Sequence, residues 1–251
     1  LARYKKTEEI HESFGVVIVD ECHHVPAKTY REVIRSFKSK YFFGLTATHE
    51  RKFGTETITE LIIGPVIAEM TAFEQESRKT FEVNIATTEM SLPFRYSTDH
   101  YETLAKTICY DSARNMQVTC AVLEEVKAGR KVLVLTERKE HIEMLRLYLG
   151  GEAEIIGVSG DDSARSRKLK FAQIQAGNFQ VLLATGQLLG EGFDLHGVET
   201  VVLAFPFSFE GKIIQYIGRL RGEGVKHILD FHDESVAFLD RQFKKRKKFY
   251  K

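Results

Sequence analysis

The sequence predicts an α/β fold in which parallel sheets are flanked by helices. Seven short apolar runs are rich in β-branched residues and lack polar alternation, as is typical of strands buried on both faces. They are Val16–Val19, Tyr41–Leu45, Val132–Leu135, Glu154–Val158, Val181–Ala184, Thr200–Ala204 and His227–Asp230. Between them, apolar residues recur three and four apart, which predicts helices at Ser112–Ala128, Arg138–Leu149, Ala164–Ala176 and Glu210–Leu220. Strands that alternate with helices favour a parallel sheet.

Length and composition limit the class of protein. The 251 residues can form one large or two modest domains, and a hydrophobic share of 43% is enough for a core. The 36 lysines and arginines balance 35 aspartates and glutamates, so any contact with a polyanion would need a local basic patch. The three cysteines form no CxxC pair, which favours a reducing, cytoplasmic compartment over a disulfide framework. No apolar stretch reaches the about 18 residues that span a bilayer.

The stretch 72–98 interrupts the rhythm of strands and helices. It mixes polar residues and contains Pro93. We therefore expect it to connect a first unit, residues 1–71, to a second unit, residues 99–251.

Two carboxylates follow the first predicted strand. Asp20 and Glu21 stand where a parallel strand meets its loop, the edge at which open α/β sheets bind ligands. Asp20 would hold Mg²⁺ and Glu21 would orient a water molecule. The alternative is a polar strand end that caps the following helix. A zinc site at Cys22-His23-His24 is disfavoured, because three adjacent side chains cannot all face one ion.

Hydroxyl and glycine residues follow three further strands. Thr46 and Thr48 could relay hydrogen bonds from a phosphate site, or form an ordinary threonine-rich turn. Thr136 and Arg138 could seat a backbone phosphate, although Thr136 could equally cap the next helix. The glycines at 186, 190 and 192 let the backbone approach a ligand closely, with Thr185 before them and Asp194, which can bind a sugar or an arginine, after them. The alternative is a flexible surface loop, which would explain the glycines but not the two flanking residues.

Two basic segments come late in the chain. Gln215, Gly218 and Arg219 share one face of the predicted helix 210–220, and Arg221 extends it, so that the arginines could neutralise a phosphate. The alternative is a solvated basic helix end. The second segment is the run Lys244, Lys245, Arg246, Lys247 and Lys248, flanked by the aromatic residues Phe243, Phe249 and Tyr250. It could lie along nucleic acid or form a solvated terminal helix.

Four of these motifs resemble, in order and approximate spacing, motifs II, III, V and VI of superfamily 2 helicases. They are Asp20–His24, Leu45–Thr48, the run from Ala184 to Asp194, and Gln215–Arg221. The chain is most similar to type III restriction-enzyme motor subunits and excision-repair helicases. The resemblance implies two RecA-like domains that clamp ATP and move along nucleic acid, with DNA ranked ahead of RNA.

The resemblance also implies roles for residues of the first unit. Asp20 matches the magnesium-binding aspartate and Glu21 the glutamate that activates water. His23 matches the residue that couples this site to the other domain. Thr46 and Thr48 resemble the link between hydrolysis and strand movement.

For the second unit, the resemblance implies the other half of the ATP site. Gly192 and Asp194 match positions near the nucleotide, and Thr185 a position near the nucleic-acid backbone. Arg219 resembles an arginine finger, and Gln215 faces the interdomain cleft in relatives.

The sequence departs from the family pattern in two places. Relatives carry a phosphate-binding loop ending in Gly-Lys-Thr or Gly-Lys-Ser, whereas the only Gly-Lys pair here, Gly211-Lys212, precedes isoleucine. We therefore expect a piece of a longer protein, whose N-terminal P-loop region is its partner, and no ATP hydrolysis by this chain alone. Relatives also place a second arginine three positions after the first, where this chain has Gly222. Either Arg221 takes the place of this second arginine, or the ATP site has only one arginine finger. The competing hypothesis is a non-catalytic RecA-like module that binds nucleic acid or a partner.

Overall fold

The computed structural model describes residues 12–46, 56–68, 81–92, 101–186, 195–206, 220–221 and 225–250. The chain divides into two compact units, Leu1–Glu74 and Gln75–Lys251. Among the described residues, no helix is both long and apolar enough to cross a membrane.

The first unit contains two parallel strands, β1 (Val16–Val19) and β2 (Tyr41–Gly44), with Val16 opposite Tyr41. A 3-10 helix at Cys22–His24 and helix α1 (Lys28–Ser36) connect them, and α2 (Glu56–Ile62) follows. The core consists of the buried Cys22, Val25 and Ile34, against which Val19, Phe42, Ile62 and Ile63 pack.

Gly44 is required by the close packing of this small core. A Cβ atom at position 44 would lie 2.8 Å from Sγ of Cys22 and 3.2 Å from Cδ1 of Ile63. Because real Cβ atoms almost never come within 3.0 Å of another atom, the contact with Cys22 excludes a side chain here, and glycine at the end of β2 allows the loop after β1 to pack against it.

The opposite face of the β1–β2 pair is exposed. The side chains of Val16, Ile18, Tyr41, Phe43 and Leu45 are between 42% and 62% accessible. The prediction that these two strands are buried on both faces is therefore wrong for the first unit, where packed residues alternate with exposed ones along each strand.

The second unit is built on a six-stranded parallel sheet in the order β3-β10-β8-β4-β6-β5. Its strands are β3 (Phe81–Thr87), β4 (Lys131–Thr136), β5 (Ile155–Val158), β6 (Val181–Thr185), β8 (Val198–Leu203) and β10 (Lys226–His232). A separate parallel pair is formed by β7 (Leu195–His196) and β9 (Leu220–Arg221). The helices are α3 (Tyr101–Tyr110), α4 (Ser112–Lys127), α5 (Lys139–Leu149), α6 (Ala164–Gln175) and α7 (Ala237–Arg246).

The central strand β4 contributes to a core on each face of the sheet. Leu133 and Leu135 belong to one cluster, which also contains residues of α3, α6 and α7. Val132 and Val134 belong to the other, with residues of α4 and α5. All four are at most 1% exposed, which confirms the prediction of a strand buried on both faces.

The structure differs from the predicted elements in several places, beginning with helices α1 and α2 and strand β7, which were not predicted. Strand β3 lies inside the predicted connection 72–98 and pairs with β10 at the edge of the sheet, so the connection is wrong over these residues. Helix α3 was not predicted. Most of the predicted helix 210–220 lies outside the described residues, and Leu220 is in β9 rather than a helix.

A buried ion pair ties α4 to the carboxyl edge of the sheet. Arg114 donates from Nε to Oδ1 of Asp233 at 2.8 Å and from Nη1 to the carbonyl oxygen of Ala204 at 2.6 Å. The Thr88 hydroxyl donates to the same carboxylate at 2.5 Å. Since Arg114 and Asp233 are each only 1% exposed, neither charge has water as a substitute partner.

A second buried chain of hydrogen bonds holds the end of β4. Asn115 donates from Nδ2 to the carbonyl oxygen of Cys109 at 2.8 Å, which leaves its Oδ1 to accept from Nε2 of His141 at 2.9 Å. Burial and the nearby Arg114 lower the pKa of His141, so the imidazole is neutral and carries its proton on Nε2. Nδ1 then accepts from the Thr136 hydroxyl at 3.0 Å, and the same hydroxyl accepts from the backbone amide of Arg138 at 3.3 Å.

Replacing Asp233 by asparagine should lower the free energy of unfolding by about 3–5 kcal/mol, because the buried guanidinium of Arg114 loses its counterion. Urea unfolding followed by circular dichroism measures this. The matched control is Glu234→Gln at the exposed neighbouring position, which should change stability by less than about 0.5 kcal/mol. A loss below about 1 kcal/mol for Asp233→Asn would contradict the ion pair's role.

Acid should destabilise the protein through His141. Burial lowers the pKa of His141 from 6.5 to about 3, so the imidazole stays neutral in the folded chain while the unfolded chain binds a proton below pH 6.5. Stability is lost as the pH falls from 6.5 towards 3, by at most about 1.4 kcal/mol per pH unit.

A His141→Gln variant removes this titration but also breaks hydrogen bonds. We expect it to be less stable than wild type near neutral pH and to lose about 1.5 kcal/mol less between pH 6.5 and pH 5. Urea unfolding at the two pH values measures the difference. Identical pH dependence in the two proteins would show that the imidazole is not kept neutral by the fold.

Candidate functional site

The acidic strand end of the first unit lies beside the end of β2. The backbone amide of Leu45 donates to the carbonyl oxygen of Val19 at 2.9 Å, and that of Cys22 donates to the carbonyl oxygen of Leu45 at 3.0 Å. These bonds bring the chain after β1 against the chain after β2. Asp20 and Thr46 therefore lie at the same carboxyl edge, as the sequence predicts for two parallel strands.

Glu21 has a left-handed backbone conformation, with φ 50° and ψ 44°. It is the only non-glycine residue with positive φ in the described part of the chain. This conformation costs about 1–2 kcal/mol in a residue with a Cβ atom. Glu21 makes no side-chain capping bond to the 3-10 helix that follows, so the helix-capping alternative does not account for it. Strain of this kind concentrates at functional sites.

The donor set at this edge suits Mg²⁺ better than zinc. Asp20 is exposed and one of its oxygens accepts the amide of Glu21 at 2.8 Å. Cys22 is buried in the core against Gly44, which makes it unsuitable as a zinc ligand. The described residues contain no cluster of three or more histidine, cysteine or acidic side chains able to hold a metal. A single exposed carboxylate fits Mg²⁺, which keeps most of its water ligands.

The second unit has a cavity of about 480 Å³ at the carboxyl ends of β4, β6 and β5. Residues from the three strand ends and from the start of α3 line it: Tyr101, Glu137, Arg138, Lys139, Gly160, Asp161, Thr185 and Gly186. The predicted residues Arg138 and Thr185 thus share one cavity, because β4 and β6 are adjacent and Thr136 pairs with Thr185.

Both cations of this cavity are bound to carboxylates. The guanidinium of Arg138 forms two hydrogen bonds to Glu102, at 2.8 and 3.1 Å, and lies 5.9 Å from the ring centre of Tyr101. Nζ of Lys139 donates to Asp161 at 2.6 Å. The hydrogen bonds from Arg138 hold the pKa of Glu102 below its usual value, and the bond to Asp161 raises the pKa of Lys139.

The hydroxyl group of Thr136 is not directed into this cavity. The residue is fully buried and its hydroxyl is used by His141 and by the amide of Arg138. The prediction that Thr136 binds a phosphate is therefore wrong. The local alternative is close to what is observed, since the hydroxyl serves the backbone where α5 begins.

The basic residues near the C-terminus do not all face solvent, because their helix buries Arg246 and exposes the lysines. Arg246 is 2% exposed and is bound to Asp230, with Nε at 2.8 Å from Oδ2 and Nη2 at 3.0 Å from the carbonyl oxygen of Phe231. The prediction that Arg246 belongs to a nucleic-acid-binding surface is therefore wrong. Tyr250 also donates to Asp230, at 2.8 Å. The lysines of the run are exposed: Lys244, Lys245, Lys247 and Lys248.

Several predicted residues lie outside the described part of the chain. These are Thr48, Gly192, Asp194, Gln215 and Arg219. The backbone of His23 lies in the 3-10 helix. Arg221 is in β9, where its backbone pairs with His196, so Arg221 does not continue a helix from Arg219.

Sequence reasoning missed most of the cavity lining. Gly160 and Asp161 follow β5 closely, so the rule that parallel strands end at one edge could have identified them. Helix α3, which supplies Tyr101, has a usable signal in its buried Leu104, Ala105 and Ile108.

Two protein-family models match the chain. One is "Type III restriction enzyme, res subunit", over residues 2–51, and the other is "Helicase conserved C-terminal domain", over residues 114–222. The second match includes β4, β5, β6 and β8 and therefore most of the strand ends that form the cavity.

Some curated relatives match nearly all of the chain and others only a part of it, at sequence identities between 22% and 38%. A protein of Acanthamoeba polyphaga mimivirus named as an ATP-dependent RNA helicase is 24% identical over 100% of this chain and 49% of its own length. The ATP-dependent DNA helicase uvsW of enterobacteria phage T4 is 22% identical over 91% of this chain and 47% of its own. The DNA 3'-5' translocase XPB2 of Sulfurisphaera tokodaii is 38% identical over 26% of this chain and 15% of its own. The chain spans about half the length of the first two relatives.

Solved structures share the fold. The helicase MrfA, bound to DNA and AMPPNP, gives a TM-score of 0.65 at 14% identity, covering 98% of this chain and 35% of that chain. T4 UvsW gives 0.54 at 18% identity, covering 98% and 53%. These likenesses confirm the α/β, RecA-like fold. The two family matches and the relatives confirm the predicted resemblance to superfamily 2 helicases and, among them, to type III restriction subunits and XPB-like proteins.

Proposed function

We propose that this chain is the C-terminal part of an ATP-dependent helicase or translocase that moves along nucleic acid, with DNA ahead of RNA. The cavity at the carboxyl ends of β4, β6 and β5 carries this proposal, because it places Arg138, Lys139 and Thr185 at one sheet edge. Carboxyl edges of parallel sheets bind ligands in open α/β folds.

Nucleic-acid phosphates fit this cavity chemically. Arg138 presents a planar fork that can bind a phosphate through two hydrogen bonds, and Lys139 adds a point charge beside it. Thr185 and the glycines at 160 and 186 offer a hydroxyl and open backbone. These are groups that bind the sugar-phosphate backbone without reading sequence.

The exposed lysines of the C-terminal run supply a second contact in our proposal. Lys244, Lys245, Lys247 and Lys248 are anchored near the sheet because Arg246 and Tyr250 bind the buried Asp230. Their contribution would be electrostatic and sensitive to salt.

ATP and Mg²⁺ would bind with help from the longer parent protein. Asp20 would hold Mg²⁺, which neutralises phosphate charge, and Glu21 would orient the attacking water. Thr46 and Thr48, with His23, would couple the site to movement.

From the second unit, Arg219 would serve as the arginine finger, with Gln215 beside it. Gly192 and Asp194 would lie near the nucleotide. The phosphate-binding loop would come from the N-terminal region of the parent, since no Gly-Lys-Thr or Gly-Lys-Ser occurs in these 251 residues.

Replacing Arg138 by glutamine should weaken binding of a fluorescent dT20 strand about fivefold to tenfold near 0.1 M salt, because one phosphate contact is lost. The slope of log affinity against log salt should fall in magnitude by about 0.7. Fluorescence anisotropy over a salt series measures both, and an rU20 strand compares RNA with DNA.

Arg146→Gln is the matched control, because Arg146 lies in the last turn of the same helix, away from the cavity. It should leave the affinity and slope unchanged. Equal effects from the two variants would reject the cavity as the phosphate site. In a variant with all four exposed lysines changed to glutamine, an unchanged slope would reject the C-terminal contact.

The chain alone should show no nucleic-acid-stimulated ATPase above a Glu21→Gln control, because it lacks the phosphate-binding loop. Phosphate release measures this. ATP turnover above that control would contradict the proposal that the phosphate-binding loop of the ATP site comes from the N-terminal region of the parent.

In the longer parent, Arg219→Ala should reduce turnover at least about 1000-fold, as loss of an arginine finger does. Arg221→Ala distinguishes the two interpretations of the second arginine. Near-normal turnover excludes Arg221 as a finger, and a comparable loss assigns it that role.

A further inference from the structure

The phosphate-binding groups of the cavity are already paired with anions of the protein. Arg138 binds both carboxylate oxygens of Glu102, and Lys139 binds Asp161. The two carboxylates come from different elements, Glu102 from α3 and Asp161 from the loop after β5. Both cations stand at the start of α5, Arg138 as its N-cap and Lys139 as its first residue.

Cations at a helix N-terminus are unfavourable for the helix itself. The partial positive charge of the exposed amides repels them, whereas an anion at the same place is stabilised. Two consecutive cations at the start of α5 therefore call for an anion in front of them. In the described structure, Glu140 lies in the first turn of α5, and Glu102 and Asp161 pair directly with the two cations.

These carboxylates can be displaced at little cost. Their side chains are 69% and 67% exposed, so water can solvate them once they leave the cations. Exposed ion pairs contribute little to stability, because water and salt screen their attraction and because holding two side chains in one geometry costs entropy, although a two-bond pair such as Arg138–Glu102 contributes more than a single-bond pair such as Lys139–Asp161. A guanidinium fork accepts a carboxylate or a phosphate with the same two-bond geometry, so only one of them can occupy it at a time.

The net charge of the cavity also favours displacement of a carboxylate by a phosphate. With Glu102 included, it contains two cations, Arg138 and Lys139, and three carboxylates, the others being Glu137 and Asp161. The site as a whole is therefore not positive, and bulk attraction does not explain how it would take a phosphate. Exchange of a protein carboxylate for a phosphate, at a cation that is already oriented, does explain it.

We propose that Glu102 and Asp161 act as placeholders for two backbone phosphates, and that they set the affinity of this site for single-stranded nucleic acid. This inference rests on the proposed function of the cavity. The placeholders keep the cations oriented in the free protein and compete with the incoming strand. Each step along the strand then exchanges a phosphate for a carboxylate, which keeps binding weak enough to release.

The test measures dT20 binding by fluorescence anisotropy near 0.1 M salt with the 251-residue chain. Glu102→Gln and Asp161→Asn should each tighten binding about twofold to fivefold, since each removes one competing surface pair. The matched control is Glu124→Gln, an exposed position in the last turn of α4, at the end of the sheet where β4 begins. It changes net charge equally and should leave the affinity unchanged.

A double-mutant cycle shows whether Glu102 acts through Arg138. In an Arg138→Gln background, Glu102→Gln should no longer tighten binding, because there is no guanidinium to release. Tightening that persists in this background means general repulsion and overturns the placeholder role. Unchanged or weaker binding by Glu102→Gln alone also overturns it, since the pair then only positions Arg138. Thermal unfolding of each variant checks that affinity changes are not losses of folded protein.

The outcomes separate this inference from the proposed function. Wild-type binding that Glu102→Gln and Asp161→Asn leave unchanged defeats the placeholder role alone. If neither wild type nor the variants bind dT20 or rU20, the proposed function fails together with it. Binding that only the two variants show would support both, because the carboxylates then exclude the strand in the free chain.

Discussion

The second unit depends on the parallel pairing of β4 with β6 on one side and β8 on the other. Because all six strands run in the same direction, every strand end reaches one edge of the sheet. Arg138 after β4, Asp161 after β5 and Thr185 at the end of β6 are far apart in the sequence but line one cavity. The strand order therefore decides which residues can act together.

The start of α4 holds this edge in place. Arg114 and Asn115 are consecutive buried residues in its first turn, and they bind different halves of the edge. Arg114 connects Asp233 and Ala204, which follow β10 and β8. Asn115 holds His141, and through it the end of β4. Buried polar groups that are fully paired restrict the packing to one arrangement, whereas a lost partner leaves an expensive unpaired group. The geometry of Arg138 thus depends on contacts made below the surface.

The sequence predicted the fold class and seven strands because short runs of apolar, β-branched residues are a strong strand signature, even in β1 and β2, which are exposed on one face. It failed at β3, whose Phe81 and Val83 pack on the core while neighbouring Glu82 and Asn84 face solvent, so that an edge strand resembled a polar connection. The sequence predicts that Asp20 lies at a sheet edge, and the structure brings the chain after β2 beside it, whereas the left-handed backbone of Glu21 has no sequence signal. The partners of Arg138 could not be foreseen, since Glu102 is 36 residues away and no local pattern links them.

Charge counted along the sequence is a weaker guide to binding than position at a strand end. The run from Lys244 to Lys248 is the densest cluster of basic residues, but the helix turns Arg246 to the same buried face as Leu239 and Phe243. That arginine anchors the segment through Asp230 instead of meeting solvent. Arg138 and Lys139 form only a pair in the sequence, among acidic neighbours, and lie where the sheet opens to a ligand. An arginine's function therefore follows from the element that carries it and from the anion it faces, and the local density of positive charge does not determine either.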